Sequence, residues 1–177
     1  RNAMNEAGGK TKELIPSAFP EPWNRLSGFD YAANSKIVNA ISSKYYTMHW
    51  PMMMMNYSDA LTEKNPHLSD ALVAESLCRS FGGTSPTPCS TAGFSYPEPH
   101  ENHPVSTQDL SDKQAVIERS STNAAVWPIA HSYGPKEDFI KRAEAVYSVS
   151  KERLWVNRYA YLSDEKLDAL GKLIRSH

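Results

Sequence analysis

The chain has 177 residues, 40% of them hydrophobic and 22% charged, with a formal net charge of −1. Those proportions exclude a disordered or collagen-like chain, and the lack of any basic stripe argues against a nucleic-acid partner. The longest apolar run, around Pro51–Met55, is far shorter than the roughly 20 residues a membrane-spanning helix needs, so no membrane partner is expected.

Residues 1–7 read as a helical stub ending at Gly8-Gly9, although Asn2-Ala3-Met4 also fits the end of a cloning scar. The first strand is expected over residues 13–19. Pro20-Glu21-Pro22-Trp23-Asn24-Arg25 follows as an irregular loop, and Ser27 begins a helix in which Phe29, Ala33, Ile37, Ala40 and Ile41 recur at helical spacing. The second strand is expected over residues 45–50, rich in aromatic residues and stopped by Pro51. Helical matter then comes in two pieces, residues 56–63 and a helix starting at Ser69 with Leu72, Val73, Leu77 and Phe81 on one face. The methionine run Met52–Met55 reads as helix packing.

A long Pro-rich loop spans about 84–105, and unstructured loops of that length are usually functional or disordered. A short helix at 109–119 leads to the third strand, 125–130, which ends in His131-Ser132-Tyr133-Gly134. Pro135 suits the first position of the next helix, whose buried stripe is Phe139, Ala143, Val146 and Tyr147. The fourth strand is expected over 154–159. Ser163 caps the last helix, with Leu167, Leu170, Leu173 and Ile174 as its apolar face. Cys78 reads as buried and Cys89 as a loop residue; a disulfide between them is possible but is not the expectation.

The order β-α-β-α-β-α-β-α implies right-handed crossovers and a parallel sheet. Four such units make a (βα)₄ half of a (βα)₈ TIM barrel. An open flavodoxin-like sheet shares the alternation, but no glycine-rich phosphate loop follows the first strand, and no cofactor is expected.

In a barrel, chemistry sits in the loops after the strands. Those positions hold Glu21, Trp23, Asn24 and Arg25 after strand one, and His49 and Trp50 after strand two. They hold His131 and Tyr133 after strand three, and Asn157, Arg158, Tyr159 and Tyr161 after strand four. Aromatic faces stack on the C–H face of a pyranose, and Arg, Asn and His bond its hydroxyls, so the set suits a sugar. Proton transfer would fall to Glu21, Glu98 in the long loop, or His131. Each residue also has a purely structural reading: Trp23 and Trp50 as core, His49 and His131 as satisfied histidines, Glu21 as a turn residue paired with Arg25, Arg158 as the partner of a buried carboxylate. His100-Glu101-Asn102-His103 lacks the spacing of a helical zinc motif, and no metal is expected.

The strings Phe19-Pro-Glu-Pro-Trp-Asn-Arg-Leu-Ser-Gly-Phe-Asp30, Tyr46-Thr-Met-His-Trp-Pro-Met52, His131-Ser-Tyr-Gly-Pro135 and Trp155-Val-Asn-Arg-Tyr-Ala-Tyr-Leu-Ser-Asp-Glu-Lys166 resemble the C-terminal part of bacterial glycoside-hydrolase-like TIM-barrel proteins. The resemblance runs from about Gly9 to Leu170. It supports the barrel more than any reaction. A half barrel leaves two strand edges and its inner face open, so the missing N-terminal half or a second copy is the expected partner, and a carbohydrate is the expected ligand. One departure stands out: many retaining barrel glycosidases carry their nucleophilic carboxylate at the end of strand seven, where this chain has His131. A glycoside hydrolase or related enzyme is therefore the first expectation. The alternatives are a non-catalytic carbohydrate-binding barrel and a TIM-barrel isomerase or lyase acting on a non-sugar substrate.

Overall fold

The computed structural model describes residues 1–82 and 89–177. A parallel sheet forms from β1 (Ser17–Ala18), β2 (Ala40–Tyr45), β3 (Ala125–Val126), β4 (Ile129–His131) and β5 (Trp155–Asn157), in the order β1-β2-β4-β5, with β3 also beside β2. β3 and β4 are one interrupted strand in a single register, Ile41 opposite Val126 and Lys44 opposite Ile129. The interruption falls at Pro128, which has no N–H for a ladder. The helices are α1 (Asn2–Glu6), α2 (Tyr31–Ser35), α3 (His49–Lys64), α4 (Asp70–Phe81), α5 (Thr107–Ser120), α6 (Lys136–Ser150) and α7 (Asp164–Ser176). Among the described residues no helix is long and apolar enough to cross a membrane.

The parallel α/β order is as read from the sequence, but two elements differ. The second strand is Ala40–Tyr45, not 45–50. Its Ser42 and Ser43 are buried, and a buried serine pair carries no hydrophobic signature. The helix expected from Ser27 through Ile41 is instead a 3-10 turn, Trp23–Ser27, that closes at Gly28 (φ 69°), followed by the short α2 capped by the Asp30 side chain. Ala40 and Ile41 belong to the strand. Pro51, expected to stop a strand, lies in the first turn of α3, where a helix needs no N–H from it. The caps at Ser69 and Ser163 are as expected, each side chain accepting a backbone N–H two or three residues on. Pro135 is the residue before α6 instead of its first.

The cysteines are a correction. Cys78 and Cys89 form a disulfide, their Cα atoms 6.4 Å apart. Both cysteines pack against the same apolar cluster, although their local contexts in the sequence differ. Residues 84–88 of the expected long loop lie outside the described residues. From Cys89 onward the segment packs down: Phe94 and His103 are buried, and a 3-10 turn forms at Thr91–Gly93.

All three apolar clusters lie on one side of the sheet. Ile41 and Val126 meet Ile117 of α5. Tyr45 meets Trp23, Trp50, Met54 and Leu77. Ala130 and Val156 meet Phe139 and Ala143 of α6 and Leu173 of α7. Since side chains alternate along a strand, the other face carries Ser42, Lys44, Trp127, Ile129, His131, Trp155 and Asn157. Trp155 is 41% exposed there and stacks on Trp127, their ring centroids 6.3 Å apart. In α7 only Leu173 of the expected stripe is fully buried, and Lys166 is buried with it.

Gln114 ties helix to sheet. Its fully buried Oε1 accepts from Ser43 Oγ at 2.9 Å and Tyr45 Oη at 3.0 Å. Gln114→Leu strands both hydroxyls away from water. A loss of about 2 kcal/mol is expected, read from urea unfolding midpoints.

Candidate functional site

Residues at and just after the strand ends converge on a pocket of about 170 Å³. β2 delivers Tyr46 and, past a tight turn, His49. β4 ends in His131, and β5 ends in Asn157 followed by Arg158 and Tyr161. Tyr96, from the long loop, closes one side. The rings touch in sequence: Tyr46 lies 5.2 Å from His131 and 6.0 Å from His49, and His49 lies 5.9 Å from Tyr96 (ring centroids). Tyr133 stands behind, 5.5 Å from Tyr96 and 5.2 Å from Tyr161.

The loop after β4 is held by two buried cations. Arg142 of α6 donates Nη1 to His131 O at 3.2 Å and Nη2 to Tyr133 O at 2.7 Å, while its Nε pairs with Asp138 at 2.7 Å. Lys166 of α7 gives its three protons to the carbonyls of Ser132, Gly134 and Tyr161 at 2.7, 2.7 and 3.0 Å. Four successive carbonyls, residues 131–134, thus accept from cationic groups. Ser132 Oγ in turn donates toward Asn157 O and Arg158 O, joining this loop to the end of β5. Such over-determination fixes side chains better than a free loop does.

The electrostatics follow from these cations. Burial, then His49, Arg142, Arg158 and Lys166, bring the His131 imidazole down to about 4. Burial, reinforced by the same cationic neighbourhood, brings His103 down to about 2. His49 is lowered by burial and by Arg158. All three are neutral at ordinary pH. His131 Nδ1 accepts the Tyr133 N–H at 3.2 Å, so its proton sits on Nε2. His103 Nδ1 lies 2.6 Å from Thr47 Oγ1. His100, beside it in sequence, is exposed. Among the described residues no group of three or more His, Cys, Asp or Glu is arranged to hold a metal ion.

Of the residues singled out from the sequence, His49, His131, Asn157 and Arg158 share this pocket. Tyr133 is buried beside it and donates its hydroxyl to Pro97 O at 3.0 Å. Tyr159 is 82% exposed. Glu98 is exposed on the loop next to Pro97, and its N–H is taken by Glu101 Oε2 at 2.8 Å. Burial and nearby charges, Glu98 and Glu101 among them, raise the Tyr133 phenol. Glu21 lies in a separate depression with Asp109, Asp112 and Lys113 of α5. It stands 3.9 Å from the exposed Arg25. Trp23 and Trp50 are core: 1% and 0% exposed, stacked at 6.2 Å, with Trp23 also stacked on Phe81 at 4.3 Å. Neither offers a face to a ligand. Asn24 is buried and bonds Phe29 O at 2.8 Å.

Sequence reasoning missed Tyr46 and Tyr96 as lining residues, and Arg142 and Lys166 as the clamp. Tyr46 was hidden by the misplaced second strand, which put it inside a strand instead of just past its end. A lysine in the first turn of α7 looks like any solvated lysine until three carbonyls are found around it.

No protein-family model, no curated protein and no solved structure matches the chain.

Proposed function

We propose that this chain is the C-terminal half of a (βα)₈ barrel and carries part of the sugar site of a carbohydrate-active enzyme, a glycoside hydrolase as first reading. The observation that carries the proposal is the pocket of Tyr46, His49, His131, Asn157 and Arg158, assembled from the C-terminal ends of β2, β4 and β5. Barrel enzymes use that end of their strands. Two features of the sheet support the barrel: each strand neighbours the next one in sequence, and the apolar clusters join helices to one face alone. A doubly wound sheet has helices on both. The remaining N-terminal half, or a second copy, would cover the face where Trp155 stands exposed.

In this reading tyrosine rings, with Tyr161 47% exposed and Tyr96 40% exposed, stack on the sugar. Asn157, Arg158 and the His131 Nε2–H bond its oxygens. Glu98 adjoins Pro97, whose carbonyl accepts from Tyr133, and is the candidate carboxylate of this chain; the second carboxylate of a hydrolytic pair would come from the other half. One observation favours the alternatives: among the described residues, no carboxylate lines the pocket. A sugar binder without catalysis, or an isomerase or lyase on another substrate, has no need of one there.

Titration of the protein with a panel of neutral and acidic oligosaccharides, followed by calorimetry, tests the sugar reading. Saturable binding that is lost in Tyr161→Ala is expected; no heat across the panel overturns it. If hydrolysis is found, Glu98→Gln is expected to lower turnover about 10²–10⁴-fold. A loss below about threefold would remove Glu98 from the catalytic role.

A further inference from the structure

We infer that this pocket is a subsite for an anionic group, the carboxylate or sulfate of an acidic sugar residue. The sugar part rests on the proposed carbohydrate site; the anion part rests on the donors alone.

The hydrogen bonds that surround the pocket leave it with donors and no anionic acceptor. Asn157 Oδ1 is taken by the Arg158 N–H at 2.8 Å, which aims Nδ2 at Tyr46 Oη, 2.5 Å away. Tyr46 Oη therefore accepts from Asn157, and its own proton is free to turn elsewhere. His131 Nδ1 is occupied by the Tyr133 N–H, so that ring offers Nε2–H. The Arg158 guanidinium has no carboxylate within 4.0 Å among the described residues. Arg158, the hydroxyl of Tyr46 and the imidazole of His131 thus form a set with three kinds of donor. Behind them the charges of Arg142 and Lys166 add to the positive field, and the partner of Arg142, Asp138, belongs to α6 and not to the pocket. A neutral sugar hydroxyl asks for both a donor and an acceptor. A carboxylate or sulfate asks only for donors, and a guanidinium suits it in shape and charge.

Two further observations point the same way. Arg158 has φ 70° and ψ 75°, a left-handed conformation that a residue other than glycine keeps only where its surroundings impose it. Here the Asn157 side chain holds its N–H and Ser132 Oγ bonds its carbonyl at 2.6 Å. The fold thus maintains an unfavourable backbone at the residue that brings the unpaired charge. The pocket is also small. About 170 Å³ falls below the roughly 300–1,000 Å³ of a site for a whole small molecule. It fits one substituent, with the rest of the sugar outside along the tyrosines.

Calorimetry with four probes tests this: trigalacturonate, its fully methyl-esterified form, a sulfated galacto-oligosaccharide and inorganic sulfate. The free acid is expected to bind at least tenfold more tightly than the ester. Arg158→Gln should remove most of that difference, weakening the acid far more than the ester, with Arg158→Lys in between. A sulfated sugar that binds more tightly than the uronide assigns the site to sulfate. Equal binding of acid and ester, unaffected by Arg158→Gln, overturns the anion subsite and leaves the sugar reading standing. Binding of sulfate that Arg158→Gln abolishes, with no sugar bound, keeps the anion site and overturns the sugar reading. No binding of any probe overturns both. Circular dichroism of Arg158→Gln checks its fold; should it fail, Tyr46→Phe, which deletes one donor and no charge, is expected to weaken the acid selectively.

Discussion

Acidifying the protein from pH 6.5 toward pH 4 is expected to unfold it, and the cause lies in two histidines. His103 and His131 are each 4% exposed. Their folded-state pKa values, about 2 and about 4, lie below the ordinary 6.5. Above pH 6.5 they are neutral in both the folded and unfolded chain, and nothing is lost. Below it the unfolded chain takes up two protons that the folded one refuses, so stability falls with falling pH. The slope approaches about 2–3 kcal/mol per pH unit while both histidines resist protonation, until His131 takes its proton near its folded value. Two pH units then remove about 5 kcal/mol, as much as many domains possess. The carboxyls of Asp109 and Glu118, raised by burial, act with the opposite sign near their own range and soften the lower end. Urea unfolding at half-unit steps of pH measures the slope. In His103→Asn, whose amide also reaches Thr47 Oγ1 but does not titrate, the slope at pH 5 should fall by about half. An unchanged slope would show that the burial of His103 is not its source.

Arg142→Met is expected to lose about 3–5 kcal/mol, because it breaks a buried ion pair from one side only. Arg142 is 3% exposed, and the Asp138 side chain it pairs with is 11% exposed. The substitution leaves that carboxylate unpaired and removes the donors from the carbonyls of His131 and Tyr133. Arg142→Lys keeps the charge but cannot serve three acceptors through a planar fork, and should recover only part. Asp138→Asn combined with Arg142→Met should cost less than the sum of the two, since each single change strands the other partner. A readout at the site separates this from general loosening. Arg142 also donates to His131 O, so the NMR signals of the His131 ring at pH 7, where the protein is folded, should move in Arg142→Met. If stability falls and those signals stay in place, the clamp acts on the fold and not on the site.

The residues that declared themselves in the sequence did so through short-range chemistry. Ser69 and Ser163 stand where a hydroxyl can accept an N–H of the next turn, and both do. Phe139, Ala143 and Val146 recur at helical spacing, and all three are buried against the sheet. Alternation of strands and helices is also a local pattern, and it led to a parallel α/β arrangement. His131, Asn157 and Arg158 were legible as strand-end residues, and His131 and Asn157 do close β4 and β5; that needs no knowledge of what lies across the sheet.

Tertiary structure decided the rest. Ser43 can lie in a buried strand because Gln114, some seventy residues on, accepts its hydroxyl's hydrogen bond at 2.9 Å. Trp23 and Trp50 became core and not ligand platforms because Phe81 and the residues of α3 and α4 close over them. Cys78 and Cys89 pair where both pack against the same apolar cluster. Lys166 is a buried cation because backbone carbonyls surround it, and Arg142 because the loop after β4 adds two carbonyls to its Asp138 partner. In each case the deciding partner lies outside the residue's own helix or strand pattern. A side chain's burial, and the charge it can carry, depend on the groups packed around it, and no local periodicity encodes those.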